Sequence, residues 1–357
     1  MKIKKLNEWG LATEKPLIIS GPCSAETEEQ VLATARELKK AGVTIFRAGI
    51  WKPRTRPNSF EGVGNEGLEW LKKVKQETGM LIATEIANVK HVYEALKAGV
   101  DILWIGARTS VNPFAVQEIA DALKGVDIPV LVKNPINPDL ELWIGAMERF
   151  NQAGITKIGA IHRGFSSYEQ TKFRNAPQWQ IPIELKRRYP DLPLICDPSH
   201  IAGDSSLIAP ISQKAMDIDF DGLMIESHIN PKEAWSDAKQ QITPSDLETL
   251  VSGLVRTEVK PENVSLTDLE DLRYKIDQYD QDLMNLLAKR MEIAEAIGTY
   301  KKNNNMTILQ TNRWDEILNS RIRRGKELNL SESLIVSIFE AIHDESIDKQ
   351  EYILREI

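Results

Sequence analysis

The chain has 357 residues, 42% hydrophobic and 27% charged, enough for one large domain or two of ordinary size with a real core. A net charge of −7 argues against a general nucleic-acid surface, no run is long enough to span a bilayer, and MKIKKLNEWG lacks the apolar core of a signal peptide. Only two cysteines, Cys23 and Cys196, exclude a disulfide scaffold and fit a reducing compartment, so a cytoplasmic protein without nucleic-acid or membrane partners is expected.

Eight short β-branched, apolar runs recur between residues 17 and 227: LIIS, TIF, LIAT, ILWIG, PVLV, KIGAI, PLIC and GLMI. Continuous apolar runs suit parallel strands buried on both faces. Stretches 26–42, 66–79, 88–99, 112–125 and 139–154 carry apolar residues at helical spacing, and four of these five end in Ala-Gly or Lys-Gly, a helix-stop signal. A polar loop, 164–177, follows the sixth run, and a helix over 205–218 follows the seventh. A last helix or pair of helices is expected over 233–255. The segment 48–67 is too rich in Pro and Gly for a helix and reads as a long functional loop. Eight βα units predict an α/β fold, a (β/α)8 TIM barrel over residues 1–255, with its reactive groups at the C-terminal ends of the strands.

The runs lead into Cys23, Arg47, Glu85, Arg108, Lys133, Arg163, His200 and Glu226. Taken singly, Cys23 reads as a buried small hydrophobe and His200 as a turn histidine. Brought together at strand ends, Cys23, His200, Glu226 and Asp237 offer thiolate, imidazole and carboxylate, a mixed set that suits a divalent metal such as Mn, Fe, Co or Zn. Arg47, Lys52, Arg54, Arg108, Lys133 and Arg163 converge on the same rim. Cations crowded around a cavity repel one another unless anions neutralise them, and Arg forks match phosphate and carboxylate. Substrates with more than one anionic group follow.

Residues 256–264, RTEVKPENV, are polar, contain Pro261 and read as a linker. From residue 265 the apolar period changes to 3.6 and gives an all-α three-helix domain over 265–357. Its long first helix carries Leu272, Ile276, Leu283, Leu286, Ile293 and Ile297 along one side. Three such helices make little core alone, so the domain is expected to form a homodimer. Arg273, Arg290, Lys301, Arg313 and Gln350 lie on or beside the apolar stripes, where a simple coiled coil needs no such groups.

The motifs GPCS at 21–24, RAGIWKPRT at 47–55, GAR at 106–108, VKNP at 132–135, HRG at 162–164, CDPSH at 196–200 and ES at 226–227 resemble type I 3-deoxy-D-arabino-heptulosonate-7-phosphate (DAHP) synthase, in its compact beta subgroup. The resemblance implies a metal-dependent condensation of phosphoenolpyruvate with erythrose 4-phosphate, the entry step of aromatic biosynthesis. It implies Cys23, His200, Glu226 and Asp237 as metal ligands, and Arg108, Lys133 and Arg163 as phosphoenolpyruvate contacts with Arg47 and Lys52 beside them. Lys52, Pro53, Arg54 and Thr55 would receive the sugar phosphate. Lys52 is then a candidate acid toward the aldehyde, and Glu85 and Asp197 are candidates for placing water. The related octulosonate phosphate synthase is the nearest rival, which KPRT at 52–55 disfavours.

The spacing LRYKID…LLAKRMEIAEAIGTYKK…NRWDEIL…ESIDKQ over 265–354 resembles an all-helical chorismate mutase. The resemblance implies that Arg273, Arg290 and Arg313 take the carboxylates of chorismate, Arg273 reaching the partner's site, and that Lys301 and Gln350 meet the ether oxygen. The sequence departs from the family pattern at Gln310 and Trp314, where acidic residues often stand, leaving Asp315 or a backbone group for the chorismate hydroxyl. A fusion of two steps of one pathway suggests feedback by prephenate. The alternative is a helical domain that only dimerises and senses a ligand.

Overall fold

A computed structural model describes residues 1–11, 16–53, 60–168, 171–255, 266–307 and 311–355. Arg54, Thr55, Gln310 and the expected linker 256–264 lie outside the described residues, as does the side chain of Arg313. The chain divides into two compact units, Met1–Glu258 and Val259–Ile357.

In the first unit the eight apolar runs become β1 (Leu17–Gly21), β2 (Ile45–Arg47), β3 (Leu81–Ile86), β4 (Ile102–Ile105), β5 (Val130–Lys133), β6 (Ile158–His162), β7 (Leu194–Cys196) and β8 (Gly222–Glu226). All pair in parallel and in sequence order, and β8 closes on β1 through the registers Leu17↔Gly222 to Gly21↔Glu226. The result is the expected closed (β/α)8 barrel.

Helices α1 (Glu28–Lys40), α2 (Glu66–Thr78), α3 (Val89–Lys97), α4 (Pro113–Ala122) and α5 (Leu140–Gln152) occupy the five stretches read as helical. Side-chain oxygens of Thr27, Asn88, Asn112 and Asp139 accept first-turn N–H groups and fix where four of them begin. Two helices were not legible: α6 (Gln180–Arg188), which buries only Pro182 and Leu185, and the five-residue α7 (Pro198–Ala202). Helix α8 (Ile208–Asp217) follows.

The stretch 233–255 is only partly helical, with 3-10 turns at Pro231–Glu233 and Ala238–Gln240 before α9 (Pro244–Gly253). The physical reason lies in residues 234–243. Asp237 has φ +51, and Ser227 bridges Ile242 in parallel, so this backbone follows the strand end and cannot continue as a helix.

Two apolar layers support the barrel. Ile19, Ile45, Ala83, Ile102, Trp104, Leu131, Ile161, Ile195 and Met224 fill its interior, with Leu6 and Trp9 packed among them. A larger layer, including Leu38, Leu71, Val92, Val116, Phe150 and Phe220, lies between strands and helices.

The second unit comprises α10 (Leu266–Asn303), α11 (Thr311–Glu327) and α12 (Glu332–Arg355). Helix α12 runs along the C-terminal half of α10, with Arg290 donating to Ser346, Glu295 paired to Lys349 at 3.0 Å, and Lys302 donating to the Ile353 carbonyl at 2.9 Å. Against α11 it sets Ile335 over Gly325 and stacks His343 on Trp314. The other half of α10 leaves Leu272, Ile276, Leu283 and Leu286 exposed within the chain. No helix among the described residues is long and apolar enough to cross a membrane.

Candidate active sites

Strand side chains alternate between faces, so the residue two after an inward apolar one also points inward, one layer nearer the C-terminal end. Ile45, Ala83, Trp104, Leu131, Ile161, Ile195 and Met224 fill the interior. Two residues on stand Arg47, Glu85, Gly106, Lys133, Arg163, Asp197 and Glu226. The chemistry-bearing ring is therefore the next layer of the same alternation.

Ligand atoms of Cys23, Glu226 and Asp237 lie within 4.8 Å of one another. His200 stands beside them, its Nε2 3.7 Å from Glu226 Oε1, but outside that mutual distance. It rides on α7, whose N-cap is Asp197. One Asp197 carboxylate receives the His200 backbone N–H at 3.1 Å, faces His200 Nδ1 at 2.9–3.0 Å and pairs with Lys133 at 2.7 Å. A carboxylate behind the imidazole fixes the ring and leaves Nε2 toward the cluster. Burial lowers the His200 pKa despite Asp197, which favours the neutral imidazole.

The other acidic groups are held by cations and amides. Burial, then Glu226, pushes the Cys23 thiol up to about 12, while Lys52 and Arg47 oppose the rise. Burial alone would raise the Asp237 carboxyl, but Arg174, 2.9 Å from Oδ1, and His200 hold it well below the ordinary range. Glu226 receives Arg47 at 3.1 Å and Gln240 at 2.7 Å.

Among the expected cations, Lys133 is buried and paired with Asp197, and Arg163 is buried with Nη1 donating to Asn175 Oδ1 at 2.7 Å. Burial lowers the Arg163 pKa to about 10. Arg108 is exposed, three residues beyond the end of β4. Arg47 stands apart from the reading that grouped it with the substrate contacts. Its guanidinium bonds Glu226 and the Cys23 carbonyl and lies 4.9 Å over the Trp104 ring, so it braces two of the clustered groups. Lys52 Nζ donates to the Cys23 carbonyl at 2.5 Å and lies 2.8 Å from Cys23 Sγ. Pro53 is the last described residue before 54–59.

Sequence reasoning missed Arg174, Asn175, Gln240 and Gln241. Arg174 donates to Asp237 and Gln240, Asn175 joins Arg163 to the His200 carbonyl, and Gln241 accepts from the Cys23 N–H. Their signal was their closeness in sequence to expected site residues, but polar loop side chains carry no periodicity.

In the helical unit, Arg290 donates to Ser346 Oγ at 2.6 Å across α10 and α12. Gln350, one turn after Ser346, is buried, donates to the Ser346 carbonyl at 3.0 Å and leaves Oε1 without a partner among the described residues. Gly298 lets it close in, since a Cβ there would meet Gln350 at 3.1 Å. Lys301 is half-buried near this end, and burial lowers its pKa. Arg273 is exposed on the uncovered half of α10. Ser346 is the residue missed here.

Residues 10–261 match the model of the DAHP synthetase I family. The chain belongs to that family. Residues 272–351 match the model of chorismate mutase type II, so the helical unit adds a second family's domain to the DAHP synthetase barrel. A phospho-2-dehydro-3-deoxyheptonate aldolase from Thermotoga maritima is 34% identical over 225 residues, 63% of this chain and 64% of its own length. The chain thus spans under two thirds of that relative. A 2-dehydro-3-deoxyphosphooctonate aldolase from Wolinella succinogenes is 29% identical over 264 residues, 67% of this chain and 98% of its own length. The crystal structure of the Thermotoga maritima DAHP synthase superposes with a TM-score of 0.60 at 32% identity, over 66% of each chain.

The DAHP synthetase family is metal-dependent. The residues here fit a divalent ion by their chemistry. A thiol and two carboxylates crowd within 4.8 Å, and a neutral imidazole faces them. Burial keeps the proton on the thiol even with Lys52 and Arg47 beside it, a proton that a divalent ion would displace.

Proposed function

We propose that this DAHP synthetase family chain is bifunctional: its barrel condenses phosphoenolpyruvate with erythrose 4-phosphate and its helical unit rearranges chorismate to prephenate. What carries the barrel reading is the pairing of the Cys23–Glu226–Asp237 cluster with Lys52, Lys133 and Arg163 at one end of the barrel. Two phosphates and a carboxylate need several cations in a confined site.

Cys23, His200, Glu226 and Asp237 would hold the metal, Mn, Fe, Co or Zn, which when bound polarises the aldehyde as a Lewis acid. Lys133 and Arg163, with Arg108 at the mouth, hold the phosphoenolpyruvate anion. Lys52, Pro53, Arg54 and Thr55 receive the sugar phosphate. The enol carbon attacks the aldehyde carbon, and Lys52 delivers a proton to the aldehyde oxygen. Water adds to the cationic carbon left behind, and breakage of its bond to the phosphate oxygen releases inorganic phosphate. Asp197 is committed to Lys133 and His200, so Glu85 is the carboxylate that places the water. Its Oε2 accepts from Trp104 Nε1 at 3.1 Å, which fixes the carboxylate plane.

In the mutase site Arg290, Arg313 and the partner's Arg273 would take the two carboxylates of chorismate. Lys301 and the Gln350 side-chain amide, whose N–H group now donates to the Ser346 carbonyl at 3.0 Å, would donate to the breaking ether oxygen. That rearrangement needs no nucleophile, only a compact conformer and donors at the ether oxygen. The exposed stripe Leu272–Ile276–Leu283–Leu286 supports a homodimer in which each α10 covers the other. Prephenate made by one unit is a natural inhibitor of the other. The two free, buried cysteines suit a reducing cytoplasm.

Metal-stimulated phosphate release from phosphoenolpyruvate and erythrose 4-phosphate, compared with arabinose 5-phosphate, tests the synthase. A higher rate with the pentose would favour the octulosonate reading that the Wolinella relative raises. Disappearance of chorismate absorbance tests the mutase. Its absence, with ligand binding intact, would leave the helical unit as a dimerising sensor.

A further inference from the structure

Asp237 is the outlying member of the metal cluster. It lies on an irregular loop, 214 residues from Cys23 in sequence, with a left-handed φ of +51. That conformation is unfavourable for an L-residue, although Asp tolerates it better than most, so contacts from elsewhere must hold it.

Arg174 bonds the Asp237 carboxylate itself at 2.9 Å, and the backbone around it is held mainly by the four residues 23–26. Glu26 is 5% exposed, and His228, at the start of the loop, is 3% exposed. Glu26 Oε1 accepts the Trp235 N–H at 2.7 Å, two residues before Asp237, and Oε2 faces His228 Nε2 at 3.3 Å. His228 Nδ1 accepts the Asn230 N–H at 2.9 Å, so Nε2 carries the hydrogen that points at Glu26. The next residue, Ile229, donates its N–H to Thr34 on α1 at 3.1 Å. Ser24 and Ser236 share a hydroxyl contact of 2.5 Å, and Gln241 ties the Ser236 carbonyl to the Cys23 N–H. Neither Glu26 nor His228 has a place in the reaction described above.

We propose that the buried Glu26–His228 pair is a positioning device for the metal site: it locks the 228–241 loop to the segment that carries Cys23, and so sets where Asp237 stands. The inference rests on the metal-site reading above. One short segment then supplies one ligand and fixes the second. The pair touches neither substrate nor metal, and its effect passes through the backbone of Trp235 and Ser236.

The test is a Co2+ titration of chelator-stripped full-length protein, read by the sulfur-to-cobalt charge-transfer absorption. Wild type should give that band with Cys23 as its source. His228→Phe and Glu26→Gln should bind Co2+ about 10- to 100-fold more weakly, as removal of groups behind ligands does. The double variant should lose less than the product of the two, because both remove one interaction. A purely structural role would lower Tm and leave Co2+ affinity and band position unchanged, and that result overturns the proposal. No band in wild type overturns instead the metal reading beneath it. Should His228→Phe not fold, Ser24→Ala, which removes one hydroxyl from the same clip, carries the same comparison.

Discussion

Lys133 Nζ and Asp197 Oδ2 are 2.7 Å apart, both buried, and the same carboxylate caps α7 and orients His200. The cation proposed to hold an anionic substrate is thus tied to the group behind a proposed metal ligand. Burial alone would raise the Asp197 carboxyl, yet His200 and Lys133 hold it well below the ordinary range. Removing one partner of a buried pair strands the other charge. Asp197→Ala is therefore expected to cost about 3–5 kcal/mol of stability in chemical denaturation. Asp197→Asn, which keeps the cap, should lose less stability but weaken metal binding in the same Co2+ titration.

Glu85 depends on a missing side chain. A Cβ on Gly106 would fall 2.1 Å from Glu85 Oε1, so only glycine leaves room for the carboxylate beside Trp104. Gly106→Ala should lower synthase turnover by about tenfold or more, roughly the 10²–10⁴ range of a displaced acid–base group being the upper limit. In Gly106→Ala/Glu85→Ala the melting temperature should return toward that of Glu85→Ala alone. An additive loss would refute the steric account.

His162 makes an acid-stability prediction. It is fully buried among Trp143, Phe165, Trp179 and Phe220, and neither ring nitrogen has a hydrogen-bond partner among the described residues. The Pro177 carbonyl is near but outside hydrogen-bond geometry. Burial, then Arg163, lowers its pKa from 6.5 to about 3. Between those values the unfolded chain binds a proton that the folded one refuses, so stability falls as pH drops from 6.5 and the loss levels off near 3. Urea midpoints should show a shallower acid slope in His162→Phe than in wild type.

The helical site predicts separable losses. Ser346→Ala removes the hydroxyl that Arg290 donates to, a bond to a charged group worth about 1.5–3 kcal/mol, and should slow chorismate turnover by roughly 10- to 100-fold. Lys301→Ala should abolish that turnover. Both should leave the condensation rate of the barrel near wild type in the absence of prephenate, and a parallel loss in both assays would point to misfolding.

The barrel was legible because a parallel strand buried on both faces has an unbroken apolar run, and because each run stops where the interior turns polar. The ring Arg47–Glu85–Lys133–Arg163–Glu226 followed from that ending. Partner choice was not legible. That Arg47 braces Glu226, that Asp197 serves Lys133 and His200, and that Arg174 meets Asp237 are facts about segments far apart in sequence. Helix α7 was too short to show a period, and the first part of the stretch 233–255 was read as helix because its composition is helix-like while Trp235, Ser236 and Gln241 bond to residues 23–26. In the second unit a 3.6 period marked α10, α11 and α12, but nothing in it distinguished Ser346 from any other small polar residue.

Trp9 has a consequence for traffic. It is buried with Leu6 among the interior residues, and a Cβ on Gly159, near the start of β6, would meet its ring at 3.1 Å. With that ring below and Trp104 under the Arg47 guanidinium above, apolar side chains of the described residues fill the barrel axis beneath the charged ring. For the condensation proposed above, such packing would leave the C-terminal end of the barrel as the way in and the way out, so that a substrate bound second would cover one bound first.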